Sequence, residues 1–120
     1  MPTIRILLYE DNESLRQSLA WLFETADDLM LCGKFEHCRN VTAQVGELQP
    51  DVVIMDIDLP GIDGIEGVRR CKEARPQTNI VMYTVFADED RLFAAFRAGA
   101  DGYILKKTDP QRLIDAVRDA

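Results

Sequence analysis

Five short apolar runs, IRILLY (4–9), LMLCGKF (29–35), VVIM (52–55), NIVMYT (79–84) and GYILK (102–106), alternate with segments whose apolar residues recur every three or four positions. The runs are too short and too polar at their flanks for helices, so they read as strands. The intervening segments read as helices. Asn12 is a plausible N-cap for the first, with Leu15, Leu19, Leu22, Phe23 and Ala26 at helical spacing. A weaker helix runs over 40–48 through Val41, Val45 and Leu48 and is broken by Pro50. Pro60, Gly61 and Gly64 mark a loop, after which Ile65, Val68 and Cys71 carry a third helix to Pro76. Asp88 or Glu89 opens a fourth, with Leu92, Phe93 and Phe96 on one face and closure near Gly99. Pro110 sits where a first helical turn tolerates it, followed by Leu113, Ile114 and Val117.

Strand and helix in alternation, joined by short connections, imply a parallel sheet with helices on both faces. The run Val52–Met55, unalternated and largely β-branched, suits a strand covered on both sides. A chain of 120 residues makes one such domain. In open α/β sheets the ligand site lies beyond the carboxyl ends of the strands. The polar residues that follow the strands therefore matter most.

Those residues form a coherent set. The first strand delivers Glu10 and Asp11, the third Asp56, the fourth Thr84 and the fifth Lys106. Three carboxylates brought together repel one another unless they share a cation, and hard oxygen donors suit Mg2+. Lys106 adds a positive charge and Thr84 a hydroxyl. A carboxylate so placed can act as a nucleophile toward phosphorus, with metal, lysine and hydroxyl neutralising charge on the phosphoryl oxygens. Taken singly, Asp56 could be a turn carboxylate, and Thr84 or Tyr103 ordinary strand residues. The register of four segments at one edge separates the readings.

Composition narrows the remaining classes. A formal net charge of -7 opposes nucleic-acid binding by this domain itself. Three cysteines, Cys32, Cys38 and Cys71, with the single His37, do not match a zinc-site pattern and read as reduced thiols. No apolar run approaches the roughly 18 residues of a membrane span, and no signal-peptide pattern opens the chain, so a cytoplasmic protein without membrane contact is expected.

With EDN after the first strand, DIDLPGIDG after the third, YT at the fourth and GADGYILKK at the fifth, residues 1–120 resemble the receiver domain of two-component response regulators. DLPGIDGIEGVRR and RAGADGYILKK look most like receivers attached to a LuxR/NarL-type helix-turn-helix. The resemblance implies a doubly wound, five-stranded, flavodoxin- and CheY-like α/β fold of order 2-1-3-4-5. It makes Asp56 the acceptor of a phosphoryl group from a sensor histidine kinase. Asp11, Asp56 and the backbone carbonyl of Asp58 would hold Mg2+, with Glu10 contacting the metal mainly through water and Lys106 pairing with the phosphoryl group. Thr84 and Tyr103 would be switch residues for a surface made of the fourth helix, fifth strand and fifth helix, used for homodimerisation or effector contact. Such a domain signals and is not a turnover enzyme.

Three features depart from the pattern. Glu10 replaces the commoner aspartate. Lys107 stands where many receivers have proline, so no cis bond is expected after Lys106. A helix-turn-helix is absent, which suits a domain excised from a longer regulator better than a single-domain regulator. DNA would be reached only through that missing C-terminal part. The rival readings are a Mg2+ phosphohydrolase suggested by DIDLPG, a pseudo-receiver without phosphorylation, and a flavodoxin-like cofactor binder. The acidic EDNES after the first strand disfavours the last of these.

Overall fold

The computed structural model describes residues 3–120. The elements follow in the order β1 Ile4–Tyr9, α1 Glu13–Glu24, β2 Leu29–Phe35, α2 Val41–Leu48, β3 Val52–Met55, α3 Gly64–Ala74, β4 Asn79–Thr84, α4 Glu89–Ala98, β5 Gly102–Leu105 and α5 Pro110–Asp119. All strand pairs are parallel, and the sheet order is β2-β1-β3-β4-β5. The chain thus starts in the middle of the sheet, builds one edge, and returns across β1 to build the other. That reversal lies between β1 and β3, the strands that end at Glu10 and Asp56.

Alternation along the strands divides the core into two layers. Leu7, Tyr9, Val53, Met55, Ile80 and Met82 point to one face, where they meet Val41 and Val45 of α2, Val68 and Cys71 of α3 and Ala95 of α4. Ile6, Leu8, Val52, Ile54, Val81 and Tyr83 point to the other, against Leu19 and Phe23 of α1 and Leu113, Ile114 and Val117 of α5. All four residues of β3 are buried, as its unbroken apolar run requires.

Caps fix where the helices begin. Asn12, Asp63, Asp88 and Asp109 each accept a backbone N–H from the first turn of α1, α3, α4 and α5. Asn40 precedes α2 without a side-chain cap. Gly64, read from sequence as a loop residue, is the first residue of α3, and the reason is steric. A Cβ there would lie 1.8 Å from the Asp56 carbonyl oxygen, so α3 starts in backbone contact with the end of β3.

One expectation about packing changes. The apolar face predicted for α4 is only partly buried: Ala95 is covered, whereas Phe93 and Phe96 are 53% and 42% exposed. Trp21 of α1 is also exposed and plays no part in the core. β1 and β2 slip register between Ile6 and Leu7, leaving Cys32 as the extra residue, with its Sγ 3.2 Å from the Ile6 carbonyl oxygen. Among the described residues no helix is long and apolar enough to cross a membrane.

Candidate functional site

The site is built at the carboxyl ends of β1, β3, β4 and β5. Glu10 is 1% exposed, its backbone N–H held by the Phe35 carbonyl at the end of β2. Asp56 is 4% exposed, its N–H held by the Tyr9 carbonyl at the end of β1. The strand ends are thus tied to one another by backbone hydrogen bonds, which fixes where the two carboxylates emerge.

Lys106 joins them. Its backbone N–H donates to the Thr84 carbonyl at 2.8 Å, placing the lysine immediately past β5. Its Nζ lies 2.7 Å from Asp56 Oδ2 and 2.7 Å from Glu10 Oε1. The second oxygen of each carboxylate takes a backbone donor: Asp56 Oδ1 accepts Ile57 N–H at 2.7 Å, and Glu10 Oε2 accepts Asn12 N–H at 3.1 Å. Burial raises the Glu10 pKa, and the hydrogen bond from Lys106 opposes that rise. For Lys106 burial disfavours the charged form, but bonds from its ammonium to Asp56 and Glu10 outweigh it and hold the pKa above the ordinary lysine value. The lysine therefore remains cationic at neutral pH.

Asp11 is exposed at the rim, yet one carboxylate oxygen from each of Glu10, Asp11 and Asp56 lies within 4.8 Å of the others. This donor set is all oxygen, as Mg2+ requires, and its open side leaves room for the waters that Mg2+ retains. The loop after β3 adds a fourth candidate. The Ile57 carbonyl accepts N–H bonds from Leu59 and Gly64, while no described residue donates to the Asp58 carbonyl. Gly61, at φ 88, makes the turn that carries the chain away from this point. The residues present fit a magnesium ion.

Thr84 is fully buried at the end of β4, and its Oγ1 accepts Phe86 N–H at 3.3 Å. Tyr103 of β5 is half-buried, its hydroxyl donating to the Phe86 carbonyl at 2.7 Å and its ring tilted against Phe96. Thr84 and Tyr103 thus share one partner residue, Phe86, the first through its N–H and the second through its carbonyl. The guanidinium of Arg91 lies 4.0 Å over the Phe86 ring and pairs with Asp88. Arg91 was not apparent from sequence, since nothing in a single chain marks which arginine will cover an aromatic ring. The peptide bonds described are all trans, Lys106–Lys107 included. Cys32, Cys38 and Cys71 are free thiols, away from the acidic cluster.

Comparison with known proteins gives a concordant result. The family described as the response regulator receiver domain matches residues 6–118. The transcriptional regulatory protein YxjL of Bacillus subtilis is 36% identical over 117 residues, covering 98% of this chain and 54% of YxjL. The response regulator protein VraR of Staphylococcus aureus is 33% identical over 116 residues, covering 97% of this chain and 56% of VraR. The chain spans about half the length of these two relatives. Among solved structures, a LuxR-family two-component response regulator from Aurantimonas sp. SI85-9A1 superposes with a TM-score of 0.92 at 30% identity, covering 98% of this chain and 84% of that one.

Proposed function

Because the chain belongs to the response regulator receiver domain family, a family of signalling domains, we propose that Asp56 is its phosphoacceptor and that a sensor histidine kinase is the donor. The observation that carries this reading is the Lys106 ammonium seated 2.7 Å from both Asp56 and Glu10, beside a third carboxylate.

The chemistry follows from what each side chain can do. A carboxylate oxygen of Asp56 attacks the phosphorus of a phosphohistidine in line with the departing imidazole nitrogen. The P–N bond breaks as the P–O bond forms, and the imidazole recovers a proton from solvent. Asp56 is held for this by the rigid end of β3, which limits the entropy lost on reaching the attack geometry. Lys106, already within bonding distance, moves from carboxylate oxygen to phosphoryl oxygen as negative charge is delivered there. Asp11, Asp56 and the Asp58 carbonyl, with Glu10 through water, would hold Mg2+, which would supply further neutralisation of the phosphoryl oxygens. Hydrolysis returns Asp56 to its starting state, so the domain takes part in its own phosphorylation and dephosphorylation without being a turnover enzyme.

Phosphorylation brings new negative charge and acceptor oxygens beside a buried hydroxyl. Thr84 gives up its acceptor role toward Phe86 N–H and donates to the phosphoryl group. The Phe86 backbone, bonded to Thr84 through its N–H and to Tyr103 through its carbonyl, moves with it. The change reaches α4, β5 and α5, where exposed Phe93 and Phe96 offer apolar contact for a second copy or an output domain. The setting we propose is cytoplasmic, with the domain part of a longer transcriptional regulator whose C-terminal helix-turn-helix contacts DNA.

The test is incubation with acetyl phosphate and Mg2+, followed by intact mass and light scattering. One phosphoryl group per chain, absent without Mg2+ and absent in Asp56→Asn, is the expected result. Repeated turnover of a phosphate ester without a stable label would favour a phosphohydrolase. A wild-type chain that takes no label and shows no response to Mg2+ or beryllofluoride would make it a pseudo-receiver.

A further inference from the structure

The acidic turn at the end of β1 is pinned from behind by a residue that none of the motifs singled out. Arg16, half-buried in the first turn of α1, donates from Nη1 to the Glu10 carbonyl at 2.8 Å and lies 3.4 Å from the Asp11 carbonyl. Its own N–H completes the turn by donating to the Asn12 carbonyl at 2.9 Å. Arg69, Arg91 and Arg118 each pair with carboxylates. Arg16 forms no ion pair among the described residues, although three carboxylates stand on the other side of the same turn.

We propose that Arg16 is a positioning residue for the metal-binding turn, acting through the peptide that joins Glu10 to Asp11. The inference rests on the receiver reading above. One guanidinium nitrogen, Nη1, addressing two consecutive carbonyls restrains the two peptides that flank Asp11 Cα, from which the Asp11 side chain departs. Asp11 is exposed, and among the described residues its carboxylate has no hydrogen-bond or ion-pair partner to orient it. Its approach to Asp56 therefore depends on the backbone. A lysine is a compact charge on a flexible stem and lacks the planar guanidinium that holds Nη1 against the two carbonyls. Two effects of Arg16 on the cation have opposite sign. Its positive charge repels Mg2+, and its hold on the backbone preorganises the oxygens that bind it. The proposal is that preorganisation wins.

Mg2+ titration followed by backbone amide shifts of Asp11 and Asn12 separates the two. Outer-sphere partners of metal ligands typically contribute a factor of about 10 or more in affinity. Arg16→Ala is expected to weaken Mg2+ binding by about 10-fold, with Arg16→Lys close to it and the acetyl phosphate labelling rate restored in both at saturating Mg2+. Arg118→Ala breaks a different tertiary contact, the pair with Asp28, and is expected to lower the melting temperature with Mg2+ affinity unchanged. Folded Arg16 variants that bind Mg2+ as tightly as wild type, or more tightly, would overturn the proposal and leave the receiver reading intact. A wild-type chain that binds no Mg2+ would overturn both.

Discussion

Replacing Gly64 by alanine tests the placement of Asp56, the proposed phosphoacceptor, more sharply than any charge change. The added Cβ would sit 1.8 Å from the Asp56 carbonyl oxygen, 2.7 Å from its carbonyl carbon and 3.0 Å from Ile57 Cα. Real Cβ contacts essentially never fall below 3.0 Å, so α3 and the end of β3 must separate by about 1.2 Å. Every obstructing atom is backbone, so no side-chain rotation relieves the clash. The movement stretches the Gly64 N–H bond to the Ile57 carbonyl, now 2.8 Å, worth about 0.5–1.5 kcal/mol. It also loosens α3 against the sheet, where overpacking costs about 1–3 kcal/mol. Alanine returns up to about 1 kcal/mol through helix propensity. The net loss is about 2–3 kcal/mol, or roughly 8–12 °C in melting temperature for a chain of this length.

Gly46 supplies the control. It lies inside α2, and a Cβ there would meet nothing within 4 Å beyond its own helix backbone, so Gly46→Ala receives the propensity gain with no clash and should be stabilised by about 0.5–1 kcal/mol. Thermal unfolding by circular dichroism measures both. Acetyl phosphate labelling should slow in Gly64→Ala alone, because the same shift displaces Asp56. If Gly64→Ala melts within about 2 °C of wild type, the backbone contact between α3 and β3 does not exist as described.

Two further outcomes concern stability. Burial pushes the thiols of Cys38 and Cys71 from 9.0 up to about 11. The unfolded chain releases these protons first, so stability present below pH 9 is lost as pH rises toward 11, by at most about 2–3 kcal/mol per thiol. Urea unfolding across that window should show the decline, and it should flatten in Cys38→Ala Cys71→Ala; equal slopes in the two proteins would reject the assignment. Gln49 closes α2 in the left-handed conformation at φ 49, where a side chain is strained. Gln49→Gly should therefore raise stability by about 0.5–1 kcal/mol in the same assay, and a loss would show that the side chain contributes more than its backbone costs.

The order of elements was legible because each helix and strand carries its own period, and the site was legible because a parallel sheet collects every strand end at one edge. Glu10, Asp11, Asp56, Thr84 and Lys106 needed only to be counted off the ends of their strands. What failed to show was whatever depends on contact between segments distant in sequence. Helical spacing assigns Phe93 and Phe96 to one face of α4 but does not say that Ala95 alone would be buried. Gly64 looks like loop punctuation until β3 is seen to end against it. The ion pair between Arg118 and Asp28 spans 90 positions and leaves no trace in either neighbourhood.

The buried charges show how the two levels depend on each other. A carboxylate pair as enclosed as Glu10 and Asp56 is costly to fold unless a cation accompanies it, and breaking such a group leaves charge stranded in low dielectric. Lys106 supplies the cation from the far edge of the sheet, 50 positions beyond Asp56, through a strand that exists only when β4 is already in place. The same ammonium that lets the carboxylates be buried is the one placed to meet phosphoryl oxygens. Its proposed role in phosphotransfer is therefore inseparable from its role in folding. An uncharged substitution at Lys106 changes both at once, so its effect on labelling measures neither alone. That is why the backbone at Gly64 and the carbonyls held by Arg16, which can be perturbed without removing Glu10, Asp56 or Lys106, are the cleaner points at which to perturb this site.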